Sequence, residues 1–266
     1  MFDFFEYSFM TRALVAGLLV GASAPLLGTF LVARRSSMLT DTLSHTALAG
    51  VGVGMVAGVS PLLGALFVSI LAATGIEKIV ARGRLGTEAV HALFLSGGLA
   101  LAVALISLSH STLSFESYLF GSISTVSTQD LVLLSLLAVG SFVGIGLFWW
   151  PLVTLAFNEE LAEASGLRVQ FFKTGLGILA ALTVSLSLKI IGGLLIGALM
   201  VIPVLAALQM ANSFRSTAVL AILFAEAAVL IGLILSYISS VPSGSSIVLV
   251  CIVGFFISLI LKPVIK

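Results

Sequence analysis

The sequence predicts an all-α protein: a polytopic integral membrane bundle of about eight or nine transmembrane helices, forming a single domain over residues 1–266. Three observations carry this. Hydrophobic residues make up 60% of the chain and charged ones only 9%, where a soluble domain carries about 25% charge. Mean hydropathy is +1.28, and the apolar residues fall into runs close to the ~20 that span a hydrocarbon core. The basic residues between those runs alternate from side to side.

In chain order, the predicted spans are residues 9–33, 41–58, 61–82, 88–109, 130–157, 171–189, 191–212, 216–238 and 245–262. The aromatic, acidic start Met1–Tyr7 has no basic region and no small-residue cleavage site, so no cleaved signal peptide is expected. The second span is short and glycine-rich, and its Gly50, Gly54 and Gly58 form a small-xxx-small stripe suited to helix packing. Ser60-Pro61 reads as an N-cap followed by a proline in the first helical position, and Thr87-Glu88 opens the fourth span with an acid. Ser127-x-x-Asp130 resembles a capping box. Pro203 sits inside the seventh span and predicts a kink. Cys251 stands alone in the ninth span as a buried, inert thiol.

Of the 12 basic residues, only Arg12 and Lys189 fall on one side of this arrangement. The rest, from Arg34 and Arg35 through Arg168, Lys173 and Arg215 to Lys262 and Lys266, fall on the other. The positive-inside rule makes that side cytoplasmic, with the N-terminus outside and the C-terminus inside. Nine spans satisfy this asymmetry; eight would require a re-entrant segment. Lys189, at the outer edge, reads as a snorkelling side chain.

Ionisable groups are costly in a bilayer and mark ion, proton or ligand paths. The first candidates are Asp41 and His45, one helical turn apart on one face. A carboxylate and an imidazole form half of a site for a borderline divalent cation, and two copies of the chain would supply four ligands. A structural reading stands beside this one, with Thr40 or Asp41 as N-cap, but it accounts poorly for His45, since a cation is disfavoured near a helix N-terminus. A continuous helix from Arg35 would place His45 roughly 15 Å inward. Ala49 and Gly52 continue the face and predict room for a path or a close partner. His91, three residues after Glu88, and Glu226, mid-span in the eighth segment, are additional candidates for a metal path. So is His110, near Glu116, although a lone histidine is more often a hydrogen-bonded helix residue.

The segment Asn158–Arg168 reads as a short amphipathic helix carrying Glu159, Glu160 and Glu163 and ending on a Gly166 C-cap. It is either a solvated loop helix or a docking element for a cytoplasmic partner. No G-x-x-x-x-G-K-[ST] occurs, so the chain does not bind ATP through a P-loop. Neither a His-Glu-x-x-His nor a Gly-x-Ser-x-Gly is present, which disfavours an intramembrane hydrolase. No nucleic-acid-binding signature appears. An ion-coupled secondary carrier remains an alternative, but no inverted repeat relates the two halves.

Four stretches together resemble the ABC-3 type membrane permease subunits of ATP-binding-cassette importers for zinc, manganese or iron. They are Asp41-Thr-Leu-Ser-His45-x-x-Leu-x-Gly50, Tyr118-Leu-Phe-Gly121 through Ser127-x-x-Asp130, Ile191-Gly192 through Pro203, and Ser236-Tyr through Pro242-Ser-Gly244. The resemblance implies a non-enzymatic permease in a prokaryotic cytoplasmic membrane, with no permanently bound cofactor. Its implied partners are a second permease copy, two cytoplasmic ABC ATPase subunits that hydrolyse ATP, and an extracytoplasmic metal-binding protein. Asp41 and His45 resemble the family's metal-pathway pair, and Glu159, Glu160, Glu163 and Gly166 fall in what resembles the ATPase-coupling element, about residues 158–168. Thr40 stands where many relatives have glycine, and His91 where they often have a small or aliphatic residue. The Thr-Leu-Ser-His-x-x-Leu-Ala-Gly form is most similar to zinc-type members, so the transported cation is expected to be zinc, with manganese or iron as alternatives.

Overall fold

A computed structural model describes residues 8–109, 115–122, 126–239 and 241–265, and among these every regular element is an α-helix. His110 lies outside the described residues, as does the side chain of Glu116. The helices are α1 (Ser8–Ala33), α2 (Met38–Ala57), α3 (Pro61–Ala81), α4 (Thr87–Leu108), α5 (Phe115–Phe120) and α6 (Thr128–Leu147). After them come α7 (Trp149–Phe157), α8 (Glu159–Ala164), α9 (Val169–Ser187), α10 (Ile196–Met210), α11 (Phe214–Ser239) and α12 (Ser243–Ile265). Seven of these, α1, α3, α4, α6, α9, α11 and α12, are long and apolar enough to cross a membrane.

The two other predicted spans fall short for different reasons. α2 has the length, 20 residues, but carries Asp41, His45 and a run of hydroxyls and glycines. α10 has only 15 residues, about 22 Å of helix. The predicted start at Ile191 is wrong because residues 189–195 form no regular helix. The predicted fifth span is also divided: α6 ends at Leu147, and α7 restarts at Trp149 after Phe148. Pro151 explains the break, since it lacks the N–H that would bond to the Leu147 carbonyl and its ring crowds that carbonyl. α10, by contrast, continues through Pro203, and α1 through Pro25.

Capping follows the sequence closely. Pro61 opens α3 at the first position. The Ser127 N–H and hydroxyl donate to the Asp130 carboxylate at 2.9 and 2.8 Å, and the Asp130 N–H donates to the Ser127 hydroxyl at 3.2 Å, a complete capping box. α2 differs from expectation: its N-cap is Ser37, so Asp41 lies within the first turn and caps nothing. The α1–α2 turn, with Arg35 at φ 56, also interrupts the helix, so His45 lies only about 10 Å from the start of α2.

α2 is held between α3 and α4 and also meets α9, while α1 packs on α11, α10 and α6. The glycine stripe of α2 works as predicted at two of three positions. A Cβ at Gly50 would strike the Gly64 carbonyl, and one at Gly54 would lie 2.8 Å from the Pro61 Cα. Gly58 does otherwise, closing the helix in the left-handed region at φ 68 with open space around it. Nor does Gly52 leave room for a path: a Cβ there would lie 2.9 Å from Leu105 of α4. The small residues beyond His45 are packing residues within the chain.

The irregular segment 189–195 lies deep in the bundle, where a Cβ at Gly193 would lie 3.0 Å from Leu48, midway along α2. Non-helical backbone at such depth persists only where protein supplies its hydrogen bonds. Here the Gly193 N–H donates to the Tyr118 carbonyl at 2.7 Å and the Leu194 N–H to the Leu119 carbonyl at 3.2 Å. The Ser122 N–H donates to the Lys189 carbonyl at 2.8 Å, and the Ser243 hydroxyl to the Ile190 carbonyl at 3.0 Å. Gly121 and Gly192, at φ 77 and 93, lie so close that a Cβ on either would enter the other strand of backbone. Lys189 does not snorkel: its ammonium binds both Asp130 carboxylate oxygens at 3.1 Å, tying this junction to the start of α6.

The two ends of that ion pair should therefore not be equivalent. Asp130→Ala removes the capping box and leaves the Lys189 ammonium unpaired, and is expected to cost about 3 kcal/mol. Lys189→Ala leaves the carboxylate its Ser127 bonds and should cost less. Thermal unfolding of the two variants in detergent measures this order, and equal losses would refute it.

Candidate metal pathway

Asp41 and His45 lie in the first two turns of α2, where Asp41 is exposed and His45 half-buried. Their neighbours on the helix are unusually rich in hydroxyls, any of which could have bound them. None does so. The Thr40 hydroxyl donates to the Ser37 carbonyl at 2.8 Å, Thr42 to Met38 at 2.8 Å, Ser44 to Thr40 at 2.9 Å and Thr46 to Leu43 at 3.0 Å. Each hydroxyl is turned back into its own helix, the usual way a Ser or Thr is satisfied in mid-helix. The Asp41 carboxylate accepts no hydrogen bond from a described residue, and the His45 Nδ1 is buried without a partner. A buried ring nitrogen left unpaired carries a desolvation cost of about 1–3 kcal/mol unless something binds it.

Two glycines on other helices come up against the pair. Gly98 of α4 lies against the backbone of His45, where a Cβ would be 3.0 Å from its carbonyl carbon. Gly197, in the first turn of α10, lies against the Asp41 carboxylate itself. Neither was singled out in the sequence. The only hint was that Gly197 lies inside the stretch from Gly192 to Pro203.

The additional candidates sit elsewhere. His91 is buried near the start of α4, with its Nδ1 3.4 Å from the Thr42 hydroxyl, about 100° around α2 from Asp41. It lines a cavity of about 780 Å³ together with Arg34, Arg35, Glu77, Glu88, Glu159 and Lys173. Arg34 pairs with Glu77 across this cavity at 3.6 Å. Glu226 faces Gly21 of α1, with one oxygen 3.3 Å from where a Cβ would stand, on a helix that packs on α1, α10 and α12. Neither residue joins Asp41 and His45. Among the described residues, no three His, Cys, Asp or Glu side chains could together hold a metal ion.

α8 is shorter than expected, ending at Ala164, but Gly166 adopts φ 78 as a C-terminal glycine should. The Asn158 side chain caps it by accepting from the Leu161 N–H at 2.9 Å. Glu159 is occupied within the chain, bonded to Lys173 of α9, and the buried Ala162 packs on Leu155 and Val169. What the anchored helix displays is Glu160, Glu163 and an exposed Leu161, with exposed Phe157 and Phe171 beside it. The apolar part of that surface was not read from the sequence.

The chain is similar over nearly its whole length to known membrane proteins. It is 30% identical to a manganese transport system membrane protein, MntC, of Listeria monocytogenes, over 97% of this chain and 92% of that one. It is 27% identical to a high-affinity zinc uptake system membrane protein, ZnuB, of Haemophilus influenzae, over 95% and 97% respectively. Among solved structures, that of PsaBC from Streptococcus pneumoniae in complex with Fab superposes with a TM-score of 0.87 at 30% identity, covering 96% of this chain and 92% of that one. The family description "ABC 3 transport family" matches residues 6–262. With α2 presenting an exposed carboxylate and a buried, unpaired imidazole nitrogen within a bundle of membrane-crossing helices, this chain is a multi-pass membrane protein belonging to the ABC 3 transport family.

Proposed function

We propose that the chain is the permease subunit of an ATP-driven importer for zinc or manganese, and that Asp41 and His45 line the path of the cation. The observation that carries this reading is the pair's unused bonding capacity on a helix whose every neighbouring hydroxyl is satisfied internally. One carboxylate and one imidazole per copy, doubled by a second permease, give two oxygens and two nitrogens. Such a set suits tetrahedral zinc and accepts manganese when waters complete a larger shell. Relatives named for manganese and for zinc are both similar to this chain, so the expectation of zinc over manganese finds no support in the comparisons. Iron is the third candidate.

In this reading α2 and α10 complete nine passes with the N-terminus outside. The cytoplasmic end then carries Arg34, Arg35, Lys173 and Arg215, and the 780 Å³ cavity opens there. α8 lies at the same end and is the surface on which an ATPase subunit would dock, two per importer, with a metal-binding protein delivering the cation from outside. The displayed Leu161, Glu160 and Glu163 suit a partner with an apolar cleft and basic edges. A secondary carrier would need no such partner, and copurification with a P-loop ATPase separates the two readings.

Asp41→Ala and His45→Ala are each expected to lower uptake of radiolabelled zinc and manganese by more than about tenfold, with assembly and expression retained. Normal accumulation of both metals by both variants would remove the pathway assignment. Glu160→Lys with Glu163→Lys, or Gly166→Val at its left-handed position, should lower uptake while the cation pair stays intact. An unchanged rate with the ATPase still bound would remove the docking role of α8.

A further inference from the structure

We infer that Gly197 is the positioning residue for the Asp41 carboxylate, an inference that rests on the reading of Asp41 as a pathway ligand. α10 brings Gly197 so close to α2 that a Cβ there would overlap one Asp41 carboxylate oxygen and lie 3.2 Å from both the Asp41 Cγ and the Thr40 Oγ1. Gly197 is buried, and its neighbours Ile196 and Leu199 are fully buried as well, so α10 cannot back away from α2 to make room. The start of α10 is held further by the bonds from Gly193 and Leu194 to Tyr118 and Leu119. On the other side, the Thr40 hydroxyl is committed to the Ser37 carbonyl. A methyl group at position 197 therefore has one movable object in its way, the carboxylate.

That distinguishes Gly197 from the close glycines that face main chain, and from Gly17, Gly52 and Gly193, whose Cβ would meet apolar side chains. At Gly28, Gly50, Gly98 and Gly244 a Cβ would meet backbone of a neighbouring helix or turn. Those positions are glycine because two main chains touch, and their cost cannot depend on any one side chain. Nor does backbone conformation demand glycine at 197, which lies in α10 without a positive φ. The reason for glycine there is the space occupied by Asp41. Ligand groups in a binding site must be held within about 0.5 Å of their working geometry, and a methyl group at 197 would displace the Asp41 carboxylate by more than that.

The test is a double-mutant cycle in the permease–ATPase complex: wild type, Gly197→Ala, Asp41→Ala and the double variant. Vesicle uptake of radiolabelled zinc and manganese and the thermal unfolding midpoint of the purified complex are both measured. Gly197→Ala is expected to lower uptake at subsaturating metal by about tenfold, through a raised apparent KM. It should also lower the unfolding midpoint in the wild type but not in the Asp41→Ala background, where the obstruction is gone. Gly98→Ala should lower the midpoint equally in both. If Gly197→Ala fails to assemble alone, recovery by Asp41→Ala supports the contact, and failure in both backgrounds overturns it. An equal loss of stability in both backgrounds, or normal uptake by Gly197→Ala at low metal, also overturns it. Normal uptake by Asp41→Ala overturns the pathway reading and the transport role of Gly197 with it. That failure is distinguishable, because the unfolding cycle then still reports whether the two residues touch.

Discussion

The need to satisfy peptide groups where water is absent governs the centre of this molecule. Residues 189–195 abandon helix beside the middle of α2, and a peptide group left unpaired in such surroundings costs several kcal/mol. The chain meets that demand with the end of α5 and Ser122 just after it on one side, and the start of α12 on the other. The approach is close enough that Gly121, Gly192 and Gly244 cannot carry side chains. Three sequence stretches with no common chemistry, around Gly121, Gly192 and Gly244, thus come to one place. The Lys189–Asp130 ion pair adds a fourth contact and couples the junction to the capping box of α6. The position of α10, and therefore of Gly197 against Asp41, follows from where this junction sits.

α2 shows how a polar helix is kept in such a bundle. It has the lowest apolar content of the long helices and survives because glycines at 50, 54, 64 and 98 let α3 and α4 come to backbone contact on two sides. Association of helices in lipid depends on that close packing rather than on a hydrophobic drive. Each hydroxyl on α2 is returned to its own helix, which lowers the cost of burying it. The polar groups left over are those of the first two turns, Asp41 and His45, on the less buried face of an otherwise buried helix start.

Much of this was legible in the residues. Spans with twenty or more apolar residues, proline at the first position of α3, the Ser127–Asp130 box and the glycine end of α8 all rest on local rules, and local rules hold when neighbours agree with them. The paired spacing of Asp41 and His45 also needed only a helix. The misses have tertiary causes. The division at Phe148 was signalled by Pro151, but hydropathy runs straight through it. The break at residues 189–195 is equally apolar, and only the partners around Gly121 and Ser243 make it tolerable. Lys189 was read as snorkelling because Asp130 is distant in sequence. Ala49 and Gly52 looked like space, but a small side chain marks close approach as readily as a void, and here α4 fills it.

The same ambiguity of glycine gives the site its logic. Along α2 and α4, absent side chains bring main chains together and remove space. At Gly197 an absent side chain leaves space that a carboxylate occupies. A transport path needs ligands placed well enough to bind and exposed enough to release, and one acid with one imidazole per copy is a small donor set for either task. Such a set, with no thiolate beside it, discriminates weakly among divalent first-row cations by ligand type. Under the proposed function, selection between zinc and manganese then depends on geometry and on the protein that delivers the cation. Geometry at Asp41 is set by α10, whose start is fixed by the junction at residues 189–195. The element that keeps the bundle's centre satisfied is thus also the one that sets the position of Asp41.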